Sequence, residues 1–324
     1  MRMLVCTVLL VGGVANAKKP KKGARAPAPV AEAPAEPEEA VDIPCASHGQ
    51  VVRYSVHSTK IDPRTPAPQV MESTGAVHVT GAGDDTVDLR IVTESASMTG
   101  LGEGPVETLL LAMMERVDEF PPAEARVTFG ELSNDIQITN IEVQRAAIEP
   151  MLTELRASME ANAEPEMVEM MQGMWPTLME GMMSDAAIAQ ESLEFIAPMM
   201  AYRCGTYPLR AVTSDIIVPN PFGQASVIPG KMTTTLAMAG NDLSVTSVET
   251  LADVDLWAIM APVLEAAGIE RSALPPDLPP LQVDTTTVIT IDLADGWPRT
   301  WTRDKVAGVL GQVSHESRVL TRLP

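Results

Sequence analysis

The chain is short of aromatics, histidine, cysteine and positive charge, and each shortage removes a class of function. Phe, Tyr and Trp make up 3% of its 324 residues, so a core must be assembled from Val, Leu, Ile and an unusual number of Met. Only four histidines occur, His48, His57, His78 and His315, which leaves little material for acid–base or metal chemistry near neutral pH. Lys and Arg number 23 against 43 Asp and Glu, a formal charge of −20. Phosphate backbones select basic surfaces, so this balance speaks against nucleic acid. It speaks equally against docking on anionic headgroups at a bilayer surface. G-x-S-x-G, H-E-x-x-H and G-x-x-x-x-G-K-[ST] are all absent, so no nucleophile elbow, zinc helix or phosphate loop announces an enzyme. No catalytic residue, cofactor or metal is assigned on this reading.

Long apolar runs are lacking too. Leu4 to Val14 is the most apolar stretch, well under the ~20 residues a spanning helix needs. Arg2 precedes it and Ala15-Asn16-Ala17 follows as a small-residue cleavage site, so residues 1–17 read as a secretion signal. The mature chain is then expected outside the cytosol, in a periplasm or at a cell surface, with no transmembrane segment after cleavage. Cys6 leaves with the leader. The remaining pair, Cys45 and Cys204, is expected to form a disulfide in that oxidising compartment. His48 lies close to Cys45, but sequence proximity alone makes no catalytic thiol.

Residues 18–44 begin with a basic knot, Lys18, Lys19, Lys21, Lys22 and Arg25, and continue as Ala, Pro and Glu. They lack the side chains to offset ordering entropy and read as a disordered linker, a tether or a spacer.

From 45 to 324 the pattern predicts one α+β domain. Val52, Tyr54 and Val56 alternate with polar residues as in a half-buried strand. Val77 and Val79, a turn over Gly81 to Asp85, then Val87, Leu89 and Ile91 predict a hairpin. Met232, Leu236 and Met238, the turn Ala239 to Asp242, then Leu243 and Val245 predict another. Each hairpin is followed by a helix-like segment (Pro105 to Val117, Val254 to Ala267), a double proline and further strands. The long one carries Val283, Thr285, Thr287, Ile289, Ile291 and Leu293 on one face. Hairpin, helix, double proline and hairpin thus recur in order. The expected architecture is a curved, mainly antiparallel sheet of two related halves, about 50–144 and 201–324. On the last strand, Val313, His315, Val319 and Leu323 look like the apolar face, with Arg318 and Arg322 opposite. That alternation places His315 in the core.

Between the halves, 145–200 reads as a helical insertion covering one sheet face. Ile148, Leu152, Leu155 and Met159 give a first helix an apolar stripe. A second is predicted over Glu166 to Met183 and a third over Asp185 to Ile196, capped by Ser184 or Asp185. Met167, Met170, Met171, Met174, Leu178 and Met182 share one face of the second. Unbranched, polarizable Met suits three roles: filling a core, forming an adaptable apolar surface for a ligand or partner, or holding Cu(I). No His or Cys interleaves the stripe, which weakens the copper role.

In outline, a sheet wrapped around apolar helices resembles the cradles that bacterial envelope proteins use for lipids. The leading expectation is an exported, non-enzymatic binding or carrier protein. Its apolar site, for a lipid or another hydrophobic small molecule, would lie between sheet and Met-rich helices. The alternative is a structural module of the cell envelope that binds another envelope protein.

Overall fold

The computed structural model describes residues 39–63, 67–102, 105–130, 134–162, 168, 175–176, 183–219, 227–251, 282–309 and 312–324. The leader over 1–17 and most of the linker lie outside the described residues. So do the helix-like segment Val254 to Ala267 and the Met stripe itself.

Period-two alternation becomes strand wherever it was strict. On β2 (Val51–Ile61), Val52, Tyr54 and Val56 are buried. β3 (Gln69–Ala82) and β4 (Thr86–Thr99) form the first hairpin, closed by the Gly83 N–H donating to Thr86 O at 2.8 Å. After α1 (Pro105–Glu115) and a 3-10 turn (Val117–Glu119) come β5 (Ala123–Thr128) and β6 (Asp135–Ile138). Helices α2 (Ile141–Asn162) and α3 (Asp185–Met200) follow. The Ser184 hydroxyl caps α3 by accepting the Ala187 N–H at 3.2 Å, which satisfies one of the donors a helix start leaves open. Then come β8 (Ala211–Pro219), β9 (Val227–Ala239), β10 (Asp242–Leu251), β11 (Gln282–Asp292), β12 (Pro298–Val309) and β13 (Gln312–Arg322).

These strands form one open sheet of eleven, in the order β6-β5-β4-β3-β2-β13-β12-β11-β10-β9-β8, with every neighbouring pair antiparallel. The fold is therefore α+β on a mainly antiparallel sheet, not closed into a barrel. From β8 to β13 the chain steps inward from one edge. From β2 to β6 it steps outward to the other. The two runs meet at a seam where β13 pairs with β2, from His315 opposite Ile61 to Arg322 opposite Tyr54. Residues 139–210 carry the chain back between the edges and supply α2 and α3.

A separate two-stranded sheet pairs β1 (Ala40–Ile43) with β7 (Gly205–Pro208), Ile43 opposite Gly205. Strand structure is thus present at Ala40–Ile43, inside the stretch that composition reads as linker. Val41 and Ile43 supply the reason: Ile43 is buried in the core cluster and Val41 packs against it. Immediately beyond, Cys45 and Cys204 form a disulfide with Cα atoms 4.1 Å apart.

The main core occupies one end of the sheet, where Leu89, Val127, Leu243 and Ile291 meet Trp297 and the α3 residues Ile196, Met199 and Met200. The Asp292-to-Trp297 turn closes that end. Asp295 Oδ1 accepts the Trp297 N–H at 3.0 Å. Gly296 has φ +70°, and a Cβ there would stand 2.6 Å from Pro44 O, so only glycine fits. Among the described residues, no helix is long and apolar enough to cross a membrane.

One face assignment is corrected. On β13 it is Leu320 that is buried, at 2% exposure, whereas Val313 is 48% exposed. His315 is an exposed side chain 3.9 Å from Asp304, not a core histidine. The register puts Leu320 opposite both Val56 and Trp301, so Arg318 and Glu316 share the inward phase.

Candidate functional site: the inner face of the sheet

The inner face is the one on which α3 rests. Tyr54 and Phe195 meet edge to face with ring centroids 6.3 Å apart, and a Cβ on Gly75 would lie 3.7 Å from Phe195 Cζ. Because residues directly opposite in a ladder share a face, the register lays this surface out in rows across β2, β13, β12, β11 and β10. The first row is Val56, Leu320, Trp301, Ile289 and Val245, all buried.

Two residues further along each strand the chemistry changes. The second row is Ser58, Arg318, Arg303, Thr287 and Ser247: two guanidiniums side by side among hydroxyls, with no carboxylate. The third is Lys60, Glu316, Lys305, Thr285 and Glu249, which alternates in sign before and after Thr285. Across β3 and β4 the second row continues as Met71 and Met98, directly opposite each other. All members of the second row, the two methionines included, are half-buried. Burial pushes the Lys305 ammonium below its ordinary range, and the neighbouring Arg303 charge pushes it further down.

At the apolar end lies a different charged group. Arg203, 1% exposed, stacks on Trp297 with its guanidinium carbon 4.1 Å from the ring centroid, and its Nη2 donates to Asp295 O at 3.1 Å. Burial pushes its pKa down to about 10. Tyr54 OH donates to Pro298 O at 3.1 Å, and burial raises that phenol. Arg322 pairs with Asp295 at 2.7 Å. This cluster ties the disulfide corner to the Asp295 turn, with Arg203, Tyr54 and Trp297 buried and Arg322 and Asp295 half-buried.

Met167, Met170, Met171, Met174, Leu178 and Met182 lie outside the described residues. Trp175, among them in sequence, is buried, with the Arg156 guanidinium of α2 5.4 Å from its ring centroid. His57 is exposed and contacts Glu72 at 3.2 Å. Lys60, Arg303, Lys305 and the Met71–Met98 pair were not among the residues the sequence marked out, and Arg318 was marked only as the polar face of its strand. Their signal is strand phase: counting in twos from Trp301 brings Arg303 and Lys305 onto the buried face.

No known protein family matches the chain, and no curated protein matches it either. Among solved structures, one of lipovitellin, described by its lipid–protein interactions, is similar over 86% of this chain with 12% identity and a TM-score of 0.37. The chain spans 25% of that lipovitellin chain. A second, Rv2717c from M. tuberculosis, is similar over 84% of this chain and 91% of its own, with 8% identity and a TM-score of 0.24. At these TM-scores both stand as likenesses only.

Proposed function

We propose that this is an exported, non-enzymatic binding or carrier protein that holds a hydrophobic ligand against the inner face of its sheet. The carrying observation is the division of that face. One end is sealed by α3 and Trp297, while the remainder is half-buried and includes the paired Met71 and Met98. A sheet serving only as scaffold has no use for a second, incompletely packed half. In this reading the helical insertion over 145–200, with Met167, Met170, Met171, Met174, Leu178 and Met182, forms the other wall, and its adaptable Met side chains follow the ligand's shape. Residues 1–17 direct export, the linker tethers the domain, and the Cys45–Cys204 bond suits an oxidising periplasm or cell surface.

The two-half organisation belongs to the same proposal. β3, β4, β5 and β6 step across the sheet in one direction, and β9, β10, β11 and β12 step in that same direction, which supports a duplication.

Native mass spectrometry of protein purified without detergent tests the function. A bound mass in the lipid range, lost on solvent extraction, is the expected result. Uniformly ligand-free protein overturns it and leaves the envelope-interaction module, for which the β8 edge with its exposed Val212 and Ile217 is the surface at hand.

A further inference from the structure

The eleven-stranded sheet ends differently at its two edges. At one, β6 is four residues long, and the Asn134 amide beside it donates to Met200 O at the end of α3. An edge that short offers little template for a further strand. At the other, β8 runs nine residues, Ala-Val-Thr-Ser-Asp-Ile-Ile-Val-Pro. Asp215 is its one charge, its proline stands last, and its pairing with β9 has no bulge. The lysines, bulges and interior prolines that usually blunt an edge are therefore missing from it. Val212 and Ile217, on opposite faces of the strand, are both exposed.

The backbone phase of β8 is fixed by one bond. The Leu236 N–H donates to Arg210 O at 3.4 Å, one step before the Ala211–Thr235 pair of the register. Pairs that exchange hydrogen bonds recur at every second residue, so Val212, Ser214 and Ile216 direct their backbone groups at β9. Ala211, Thr213, Asp215 and Ile217 direct theirs away from the sheet, and among the described residues no strand lies on that side.

Few registers let this edge pair with itself about a two-fold. Centring on Asp215 sets two carboxylates opposite each other, where like charges repel. Centring on Ile216 brings in Pro219, which has no N–H to give. Centring on Thr213 leaves Ile217 beyond the paired stretch. Centring on Ser214 pairs every outward residue: Ala211 meets the partner's Ile217, and Thr213 meets the partner's Asp215, to which its hydroxyl can donate. The same register sets the exposed Val212 against the partner's Ile216.

We propose that β8 pairs antiparallel with β8 of a second copy of this chain, about a two-fold through Ser214, to form a homodimer. The outward pairs exchange about eight backbone hydrogen bonds, and each exposed apolar residue of the strand gains an apolar neighbour. Among the described residues β8 is the one long open edge, so the contact uses it up in both copies and closes at two. The two-fold stands perpendicular to the sheet, which leaves the inner faces of both copies on the same side.

Sedimentation velocity of the full mature chain over the micromolar range tests this, and a concentration-dependent step from monomer to dimer is expected. Asp215→Pro removes an N–H that faces the open edge and none that β9 uses, so it should raise the dimer dissociation constant about tenfold or more. Ser214→Cys should give a disulfide-linked dimer on oxidation, because residues opposite in such a pair have Cα atoms about 4.5 Å apart. Val212→Cys should not, because it lies four residues along the ladder from its own copy, about 13 Å away. The cysteine readout stands even where Asp215→Pro fails to fold. A wild type that stays monomeric throughout overturns the proposal and leaves the edge to a strand from another protein. A dimer in which Ser214→Cys does not cross-link, or Val212→Cys links equally well, places the contact elsewhere and overturns it too. Assemblies larger than two overturn the closed two-fold.

Discussion

Breaking the Cys45–Cys204 bond should lower stability by an amount that two opposing effects set. The bond spans 159 residues, and the chain-entropy relation assigns a loop of that length about 5 kcal/mol at 25 °C. Against this, Cys204 is the one non-glycine residue with positive φ among those described, at 56°. The left-handed region costs such a residue about 1–2 kcal/mol. Serine at 204 still carries that backbone cost, so the expected loss for the Ser variant is the full ~5 kcal/mol. With a urea m-value of about 3 kcal/mol/M, the midpoint falls by roughly 1.5–2 M. The comparison uses Cys45→Ala with Cys204→Ser, then Cys45→Ala with Cys204→Gly, followed by tryptophan fluorescence, since Trp297 is fully buried beside this corner. Glycine enters the left-handed region freely, so the second variant should recover about 1 kcal/mol of the loss. Equal midpoints for wild type with and without reductant would refute the cross-link reasoning. Equal midpoints for the Ser and Gly variants would refute the backbone part.

Two further perturbations probe the apolar end. Gly75→Ala places a Cβ 2.7 Å from Val92 O beneath Phe195, a backbone clash that should cost about 1–3 kcal/mol in thermal melts; an unchanged melting temperature contradicts the close packing of β3 against β4 there. Among the described residues, Arg203 Nε and Nη1 find no hydrogen-bond partner, so Arg203→Met should be neutral or stabilising at pH 7, whereas Arg203→Ala, which empties the site over Trp297, should destabilise by about 2 kcal/mol or more. Burial depresses the folded-state pKa of Arg203 to about 10, below its ordinary value. Between about 10 and the ordinary guanidinium range the unfolded chain binds the extra proton, so this group's contribution to stability rises with pH there, and Arg203→Met should abolish that component. Equal losses for Met and Ala would show that the charge itself is needed.

Much of the sheet was legible because its faces differ in polarity at the core end. Val52, Tyr54 and Val56, Val87, Leu89 and Ile91, and Ile289 and Ile291 all fall on the buried face their alternation predicts. The Asp- and Gly-rich turns and the Ser184 cap were equally local and equally visible. What sequence could not reach was non-local. The seam joins His315–Arg322 to residues 54–61 across almost the whole chain, and nothing in either strand names the other. The β13 error has the same root. Its inward residues next to Leu320 are Arg318 and Glu316, so polarity pointed the wrong way, and only the pairing with Val56 and Trp301 restores the phase. Ala40–Ile43 was missed because its four residues sit against a Pro- and Glu-rich stretch whose composition outweighed the Val41–Ile43 alternation.

The inward cations of β12 and β13 sit on a face that the same strands make apolar nearby. The same five strands that supply Ser58, Arg318, Arg303, Thr287 and Ser247 supply Val56, Leu320, Trp301, Ile289 and Val245 one row earlier. Nothing in the backbone therefore prevents a second apolar row. Removing a guanidinium from water costs several kcal/mol unless its charge is matched, and apolar replacements of similar volume are commonly neutral or better. The long Arg and Lys stems recover part of that cost by covering apolar surface, which explains why the sheet tolerates them.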